Sequence, residues 1–285
     1  MTIQQAYQQL LSALFDLYDD REAANIANLV IEHVTGQRKI DRLMNKLLPL
    51  SGQQQQDIET HLQQLVRHVP LQYVLGEAWF AGLKLFVNPH VLIPRPETEE
   101  LVEWIVQSAG KKVAPAILDI GTGSGCIALA LKKKLPLAKV HGADVSAGAL
   151  EVAAENAALN KLEISLQLLD VLDENAWCSL PNFNIIVSNP PYITHAEAND
   201  MEAHVLEHEP HTALFVPDNT PLLFYTKIAD FGLAHLAQKG MLFFEINEAF
   251  GNETVHLLRD KGYTDVELRK DLQGKNRMVK AVLAG

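Results

Sequence analysis

The run Ile117-Leu118-Asp119-Ile120-Gly121-Thr122-Gly123-Ser124-Gly125 decides the fold. A short apolar segment that ends in glycines, with a helical pattern over Ser124–Lys134, reads as a buried strand turning into a helix. Glycines let the backbone turn tightly and let a ligand approach it closely. In open α/β sheets ligands bind beyond the carboxyl ends of the strands, so this loop is a candidate small-molecule site. Its spacing is not that of a dinucleotide fingerprint, because the third glycine comes one residue early and Cys126 stands in the expected place. No Gly-Lys-Ser/Thr follows, so it is not a P-loop. Asp119 puts a carboxylate just before the glycines, which suits a cationic ligand better than a pyrophosphate. A plain strand-to-helix turn is the bland reading.

Outward from the loop, strands and helices alternate. Strands are expected over Ala116–Ile120, Lys139–Ala143, Ser165–Leu169, Ile185–Ser188, Met241–Ile246, Asp265–Leu268 and Met278–Val282. Helices are expected over Ser124–Lys134, Ala147–Leu159, Leu222–Ala237 and Asn252–Asp260. This alternation predicts a parallel sheet covered by helices. The last two strands are joined by RKDLQGKN, too short for a helical crossover, so they should be antiparallel to each other. Asp144 ends the second of these strands, where an acid can accept both hydroxyls of a ribose. Its competing role is a helix cap for Ala147 onward. Asp170 and Val171 end the third strand and by position flank the base of a nucleoside; an ordinary loop start is the alternative. Lys132-Lys133-Lys134 is the largest basic run, and it falls where a helix should end and cations are favoured.

The 285 residues are 48% hydrophobic and 21% charged, which permits a sizeable core. No apolar run is long enough to span a bilayer, and the N-terminus lacks the pattern of a secretory signal. Two cysteines, Cys126 and Cys178, form no close-spaced pair, which argues against a disulfide scaffold and fits a reducing cytoplasm. A net charge of −11 argues against direct nucleic-acid binding, although it does not exclude a local basic groove. The first 70 or so residues read as short amphipathic helices. Tyr7, Leu10, Leu11, Leu14 and Tyr18 mark the first, and Asp19 with Glu22 caps a second that ends at Gly36. Ile40, Leu43, Leu47 and Leu48 mark a third closed by Pro49, and Ser51 with Gln54 caps a fourth. Ala78–Phe80 and Leu83–Val87 flank Ala81-Gly82 as a β-hairpin.

In NIIVSNPPYI, two prolines end the strand Ile185–Ser188 and fix extended geometry at a polar, aromatic corner. The bland reading of Ser188-Asn189-Pro190-Pro191-Tyr192 is a turn. The sharp one is a clamp for an amide or exocyclic amine. The Asn189 side-chain oxygen and the Pro190 carbonyl can accept hydrogen bonds from one NH2 group. Pro191 stiffens the corner, and Tyr192 can stack on a planar acceptor. Thr194–Asn219 is long for a connection, either a substrate-facing lid or a packed irregular stretch. His204-Val205-Leu206-Glu207-His208 fits a zinc pattern with no third ligand in view and is discounted. Arg95 either contacts a partner protein or pairs with Glu97 or Glu99. Phe244-Glu245-Ile246-Asn247 either supports the fold or stands behind the site.

The glycine loop, Asp144 and Asp119 together resemble the AdoMet-dependent methyltransferase fold. The wider chain resembles the bacterial release-factor glutamine methyltransferases. Pro70-Leu71-Gln72-Tyr73, Val91-Leu92-Ile93-Pro94-Arg95-Pro96-Glu97-Thr98-Glu99, DIGTGSGCIALAL, SNPPYI and Glu209-Pro210 with Ala213-Leu214 carry that resemblance. It implies a class I AdoMet-dependent methyltransferase fold, a seven-stranded, mostly parallel sheet with an antiparallel end strand, preceded by a small all-α domain and a β-hairpin. The expected division is 1–72 as a helical substrate-docking domain, 73–94 as a hairpin linker and 95–285 as the methyltransferase domain. The resemblance implies S-adenosyl-L-methionine as donor, no metal, and transfer to the glutamine of the Gly-Gly-Gln motif of class I peptide-chain release factors. Carried over by position, Gly121, Thr122, Gly123, Ser124, Gly125, Asp144, Val171 and Asn189 hold AdoMet. Asn189, Pro190, Pro191 and Tyr192 hold the glutamine and are the catalytic set. The rival is an adenine-N6 DNA methyltransferase, which should carry a target-recognition domain or a basic groove for a flipped base; a binding module without activity is the other.

Overall fold

The computed structural model describes residues 1–110, 114–201 and 203–285. In the N-terminal unit, α1 (Ile3–Leu14), α2 (Asp20–Thr35), α3 (Lys39–Met44), α4 (Gly52–Val66) and α5 (Leu71–Leu75) follow one another. Asp19 accepts from the Glu22 N–H at 2.8 Å to start α2, and Gly36 ends it at φ +67°, a left-handed cap that favours glycine. Ser51 and Gln54 cap α4 reciprocally. Leu10, Leu14, Ile31, Ile58 and Leu65 pack at the centre of this unit. The expected third helix is shorter than its apolar spacing suggests. It stops at Met44, and Ile40, Leu43, Leu47 and Leu48 are exposed, because α1, α2 and α4 already fill the core between them.

The second unit opens with the hairpin β1 (Glu77–Phe80) and β2 (Leu83–Phe86), turned at Ala81 and Gly82, both at positive φ. Then follow α6 (Pro96–Ala109), β3 (Ala116–Ile120), α7 (Cys126–Lys134), β4 (Lys139–Asp144), α8 (Ala147–Asn160), β5 (Ser165–Leu168) and β6 (Phe183–Ser188). After the corner come β7 (Ile193–Thr194), α9 (Ala203–His208), α10 (His211–Leu214), β8 (Phe215–Val216), α11 (Leu223–His235), β9 (Leu236–Glu245), α12 (Gly251–Asp260), β10 (Tyr263–Lys270) and β11 (Asn276–Leu283). By compactness α9 clusters with the helical unit, and the division between the units falls after Gly76.

The sheet has seven strands in the order β10-β11-β9-β6-β3-β4-β5. All lateral pairs from β9 to β5 are parallel, and β11, the last strand of the chain, runs against both of its neighbours. Side-chain alternation explains why β3 and β6 carry apolar residues on both faces. From β3 and β6, Leu118, Ile120 and Ile186 enter the core on one face, while Ile117, Ile185 and Val187 enter the core on the other. Lys132, in the last turn of α7, donates to the carbonyls of Pro136 and Ala138, so the basic run does sit at a helix end.

One buried side chain ties the hairpin to the glycine loop. Asn156 on α8 accepts from Phe86 N at 2.6 Å and donates to Phe86 O and Ser124 O, both at 2.9 Å. Asn156→Ala would leave three backbone groups unpaired, the buried Ser124 carbonyl and the part-buried N–H and carbonyl of Phe86. The expected loss is about 3 kcal/mol of unfolding free energy. Urea denaturation measures it, and a loss below about 1 kcal/mol would show that these bonds are replaced at little cost.

Candidate active site

The site begins where β3 ends. Gly121 and Thr122 donate to Ala143 O on the neighbouring β4, at 2.8 and 3.0 Å, which turns the chain across the strand tips. Gly121, Gly123 and Gly125 all lie at positive φ, which L-residues with a Cβ adopt at a cost. A Cβ at Gly121 or Gly123 would meet nothing within 4 Å, so the loop borders open space there. Gly125 differs: a Cβ would press on Ala153 of α8 at 3.2 Å, so this glycine serves close packing at the start of α7.

Asp144 is not the cap of α8. Ser146 caps α8, whereas Asp144 accepts from Gly123 N at 2.8 Å and Ser146 N at 2.9 Å. Burial raises its pKa, opposed by these backbone donors. Asp119 departs from expectation. It does not line the cavity; it lies beneath the loop, fully buried, and its Oδ2 accepts from Thr122 Oγ1 at 2.7 Å. Burial pushes this carboxyl up to about 7. The carboxylate before the glycines therefore shapes the loop from below.

Beyond the tips of β3, β4, β5 and β6 lies a cavity of about 1070 Å³, counting the part open to solvent, on the scale of a small-molecule site. Gly121 through Ser124, Asp144 and Val171 border it, as do Asn189, Pro190 and Pro191. Gly125 and Tyr192 do not. Val145, Leu169, Phe224 and Ile228 make part of the wall apolar. Cys126 also borders the cavity, but burial, with the nearby Asp119 charge, pushes its thiol up to about 12, so it is no nucleophile at neutral pH. Ser124 Oγ is buried with no hydrogen-bond partner. An acceptor carboxylate, a glycine cradle, an unpaired hydroxyl and apolar walls fit a nucleoside. Among the described residues Arg95 is the one guanidinium at the wall, and it is paired with Glu209, at 2.6 Å, so the set is poor for phosphates. Arg95 thus pairs with neither Glu97 nor Glu99. Glu209 also accepts from Ile93 N at 3.1 Å, joining the segment before α6 to the start of α10, where Pro210, Thr212 and Ala213 border the cavity.

The proline corner leaves β6 beside the glycine loop. Ser188 is in register with Ile120, and its Oγ donates to Ile120 O at 2.7 Å. Asn189 Nδ2 donates to Thr98 Oγ1 at 3.4 Å, and Thr98 donates to Glu245 Oε2 at 2.6 Å. Tyr192 OH donates to Glu245 Oε1 at 3.4 Å, and Asn247 Nδ2 donates to Tyr192 O at 3.1 Å. Burial raises the Glu245 pKa, opposed first by the Thr98 bond and then by the Arg277 charge. The end of β9 therefore stands directly behind the corner. Thr98 and Glu245 were not separable as site residues in the sequence. Thr98 looks like any polar residue in the first turn of a helix, and its partner lies 147 positions away.

A glycine loop and an Asn-Pro-Pro corner that open into one cavity at the carboxyl edge of this sheet define a methyltransferase of the AdoMet-dependent class. The family comparison agrees. Residues 98–215 match the methyltransferase small domain, and residues 4–76 match the PrmC N-terminal domain. The release factor glutamine methyltransferase of Flavobacterium psychrophilum is 43% identical, over 98% of this chain and 99% of its own length. That of Bacteroides thetaiotaomicron is 41% identical, over 94% and 96%. The chain belongs to the release factor glutamine methyltransferase family. Among solved structures, the Thermus thermophilus 16S rRNA N2 G1207 methyltransferase in complex with AdoMet and guanosine shares the fold. Its TM-score is 0.52 at 18% identity, covering 73% of this chain and 49% of that one.

The buried Asp119 carboxyl makes stability depend on pH. Its folded pKa, about 7, lies above the ordinary 3.8, so the folded state holds the proton longer than the unfolded chain. Its contribution is full below the ordinary value and is lost as pH rises toward 7. Asp119→Asn should therefore gain on the wild type between pH 4 and 7 by on the order of 3 kcal/mol. Urea unfolding of both proteins across that range measures it; a pH-independent difference would contradict the assignment.

Proposed function

We propose that the chain transfers the methyl group of S-adenosyl-L-methionine to the side-chain amide nitrogen of the glutamine in the Gly-Gly-Gln motif of class I peptide-chain release factors. The observation that carries the reading is the convergence of the Asp144 pocket and the Asn189–Pro191 corner on one cavity. AdoMet supplies a methyl carbon on a sulfonium, a leaving group that needs no further activation. Gly121–Ser124, Asp144 and Val171 would hold it, Asp144 as acceptor for ribose hydroxyls, with Asn189 at the junction with the acceptor.

The remaining difficulty is the amide, whose nitrogen lone pair is delocalised and poorly nucleophilic. Asn189 Oδ1 and the Pro190 carbonyl accept the two NH2 hydrogens and orient the nitrogen. The same acceptors favour the positive charge that grows on nitrogen as the carbon–nitrogen bond forms. Pro191 keeps the corner rigid, so alignment is prepaid. Tyr192 acts from behind: its hydroxyl is anchored on Glu245, which fixes the corner's exit. As the carbon–nitrogen bond forms, the carbon–sulfur bond would break with its electron pair going to sulfur, and S-adenosyl-L-homocysteine would leave. The methylated nitrogen would then shed one proton to solvent, so no general base is required before attack. The helical residues 1–72 contribute to release-factor docking in this reading, and the protein works in the cytoplasm. No helix among the described residues is long and apolar enough to cross a membrane.

Labelled methyl transfer from AdoMet tests the reading, with purified release factor, the same factor with the motif Gln changed to Glu, and unmethylated duplex DNA as acceptors. Label is expected on the unmodified release factor alone; label on DNA would overturn the proposal. Asn189→Ala is expected to lower the rate about 100-fold or more with the fold intact. Asp144→Ala is expected to weaken AdoMet binding about tenfold or more by calorimetry, the worth of a charge-assisted hydrogen bond. Unchanged affinity would remove Asp144 from the pocket chemistry.

A further inference from the structure

The amide of Asn189 can present either of two faces to the cavity, and only its oxygen can receive an NH2 group. A hydrogen-bonded chain behind it decides which. Glu245 is 2% exposed, and against that burial the Thr98 hydroxyl, the Arg277 charge and the Tyr192 hydroxyl favour its carboxylate form, which has no proton to give. It accepts from Thr98, also 2% exposed, at 2.6 Å. That bond uses the only proton on the Thr98 hydroxyl. Toward Asn189, Thr98 Oγ1 can then only accept, and of the two Asn189 side-chain atoms only Nδ2 can donate. The contact at 3.4 Å is that one. Nδ2 is thereby committed to the wall, and Oδ1 is left for the cavity that Thr98 and Asn189 both border. The second oxygen of Glu245 accepts from Tyr192 OH at 3.4 Å, so the carboxylate anchors the corner on both sides of its prolines.

We propose that Thr98 and Glu245 are positioning residues that set the polarity of the Asn189 amide and thereby select an NH2-bearing acceptor over one offering only oxygen. The inference rests on the glutamine-transfer reading above. A glutamine side chain presents two N–H donors to Oδ1 and the Pro190 carbonyl. A glutamate side chain as carboxylate presents acceptors alone and would face Oδ1 with like partial charge. An amide free to rotate would offer Nδ2 for part of the time, lose productive complexes and tolerate the wrong acceptor better. Asn189 cannot choose its own face; a neighbour without rotational ambiguity must do so, and a buried carboxylate has none.

The variants follow from the proton count. Thr98→Val keeps the shape and deletes the hydroxyl; Thr98→Ser keeps the hydroxyl. Glu245→Gln can turn either its oxygen or its NH2 toward Thr98, so the chain loses its direction. With wild-type enzyme methylating release factor, Thr98→Val is expected to lower kcat about tenfold or more while AdoMet affinity changes little. The thermal midpoint should fall, because a buried carboxylate loses a hydrogen bond, so the rates are compared well below it. Thr98→Ser should recover to within about threefold of wild type. Glu245→Gln should also lower kcat, and the Thr98→Val/Glu245→Gln pair should be no worse than Thr98→Val alone, as expected for residues acting as one unit. Independently of turnover, the Asn189 side-chain NH2 signals in a 1H–15N spectrum, identified by their absence in Asn189→Ala, should move in Thr98→Val and return in Thr98→Ser. Equal loss in Thr98→Val and Thr98→Ser, full kcat in Thr98→Val, additive effects of the pair, or unmoved Asn189 signals would each overturn the assignment. A wild-type enzyme that leaves release factor unlabelled would instead sink the glutamine reading, and the NMR arm would still report on the chain of bonds.

Discussion

The parallel pairing of β3 with β6 is the constraint on which the rest of the site depends. It aligns Ile120 with Ser188, so the glycine loop and the proline corner leave the sheet as immediate neighbours. The Ser188 hydroxyl on Ile120 O fastens the two strand ends below the cavity. Both strands are buried on both faces, and a slip of one residue would carry every apolar side chain to the other face. The register is thus fixed by the core, and the core places the glycine loop beside the proline corner. The adjacent β4 adds Asp144 by the same logic, since its tip meets the glycine loop through Ala143 O.

A second layer of buried polar groups holds this first one in shape. Asp119 braces the loop through Thr122, Asn156 braces it through Ser124 O, and Glu245 braces the corner through Thr98 and Tyr192. Each is a buried polar side chain, the costly kind of group, and the partners of Asn156 and Glu245 lie far along the chain. Their common effect is to leave the cavity-facing atoms little freedom. For a reaction whose leaving group arrives activated, orientation of the acceptor is where a protein can contribute most, and rigid support is the physical form of that contribution.

Local chemistry was legible in the sequence, and long-range chemistry was not. The strands Ala116–Ile120 and Ile185–Ser188 are legible because each is a short, mainly apolar run bounded by turn residues. Asp19, Gly36 and Ser51 marked helix ends because capping is a matter of three or four residues. Asp144 was legible as a strand-end acid beside a glycine loop. The third helix was over-read because an apolar spacing says nothing about whether a face finds a partner. Asp119 was misplaced because its position along the chain gives no account of which side of the loop it lies on. Tyr192 was expected at the acceptor but does not border the cavity; its hydroxyl goes to Glu245, near the end of a strand far along the chain. Arg95 found Glu209, 114 positions away, rather than the acids of its own segment. In each case the missing information was tertiary, a contact between segments whose residues are individually unremarkable.

The central claim is that one cavity brings an activated methyl group to a side-chain amide held by the Asn-Pro-Pro corner. Peptide-resolved mass spectrometry of release factor after incubation with the enzyme and AdoMet tests it most directly. The account predicts a mass increase of one CH2 unit on the peptide bearing the Gly-Gly-Gln motif, located on the glutamine side chain and absent with Asn189→Ala. An increase on another residue of that factor, or one that survives Asn189→Ala undiminished, would contradict it.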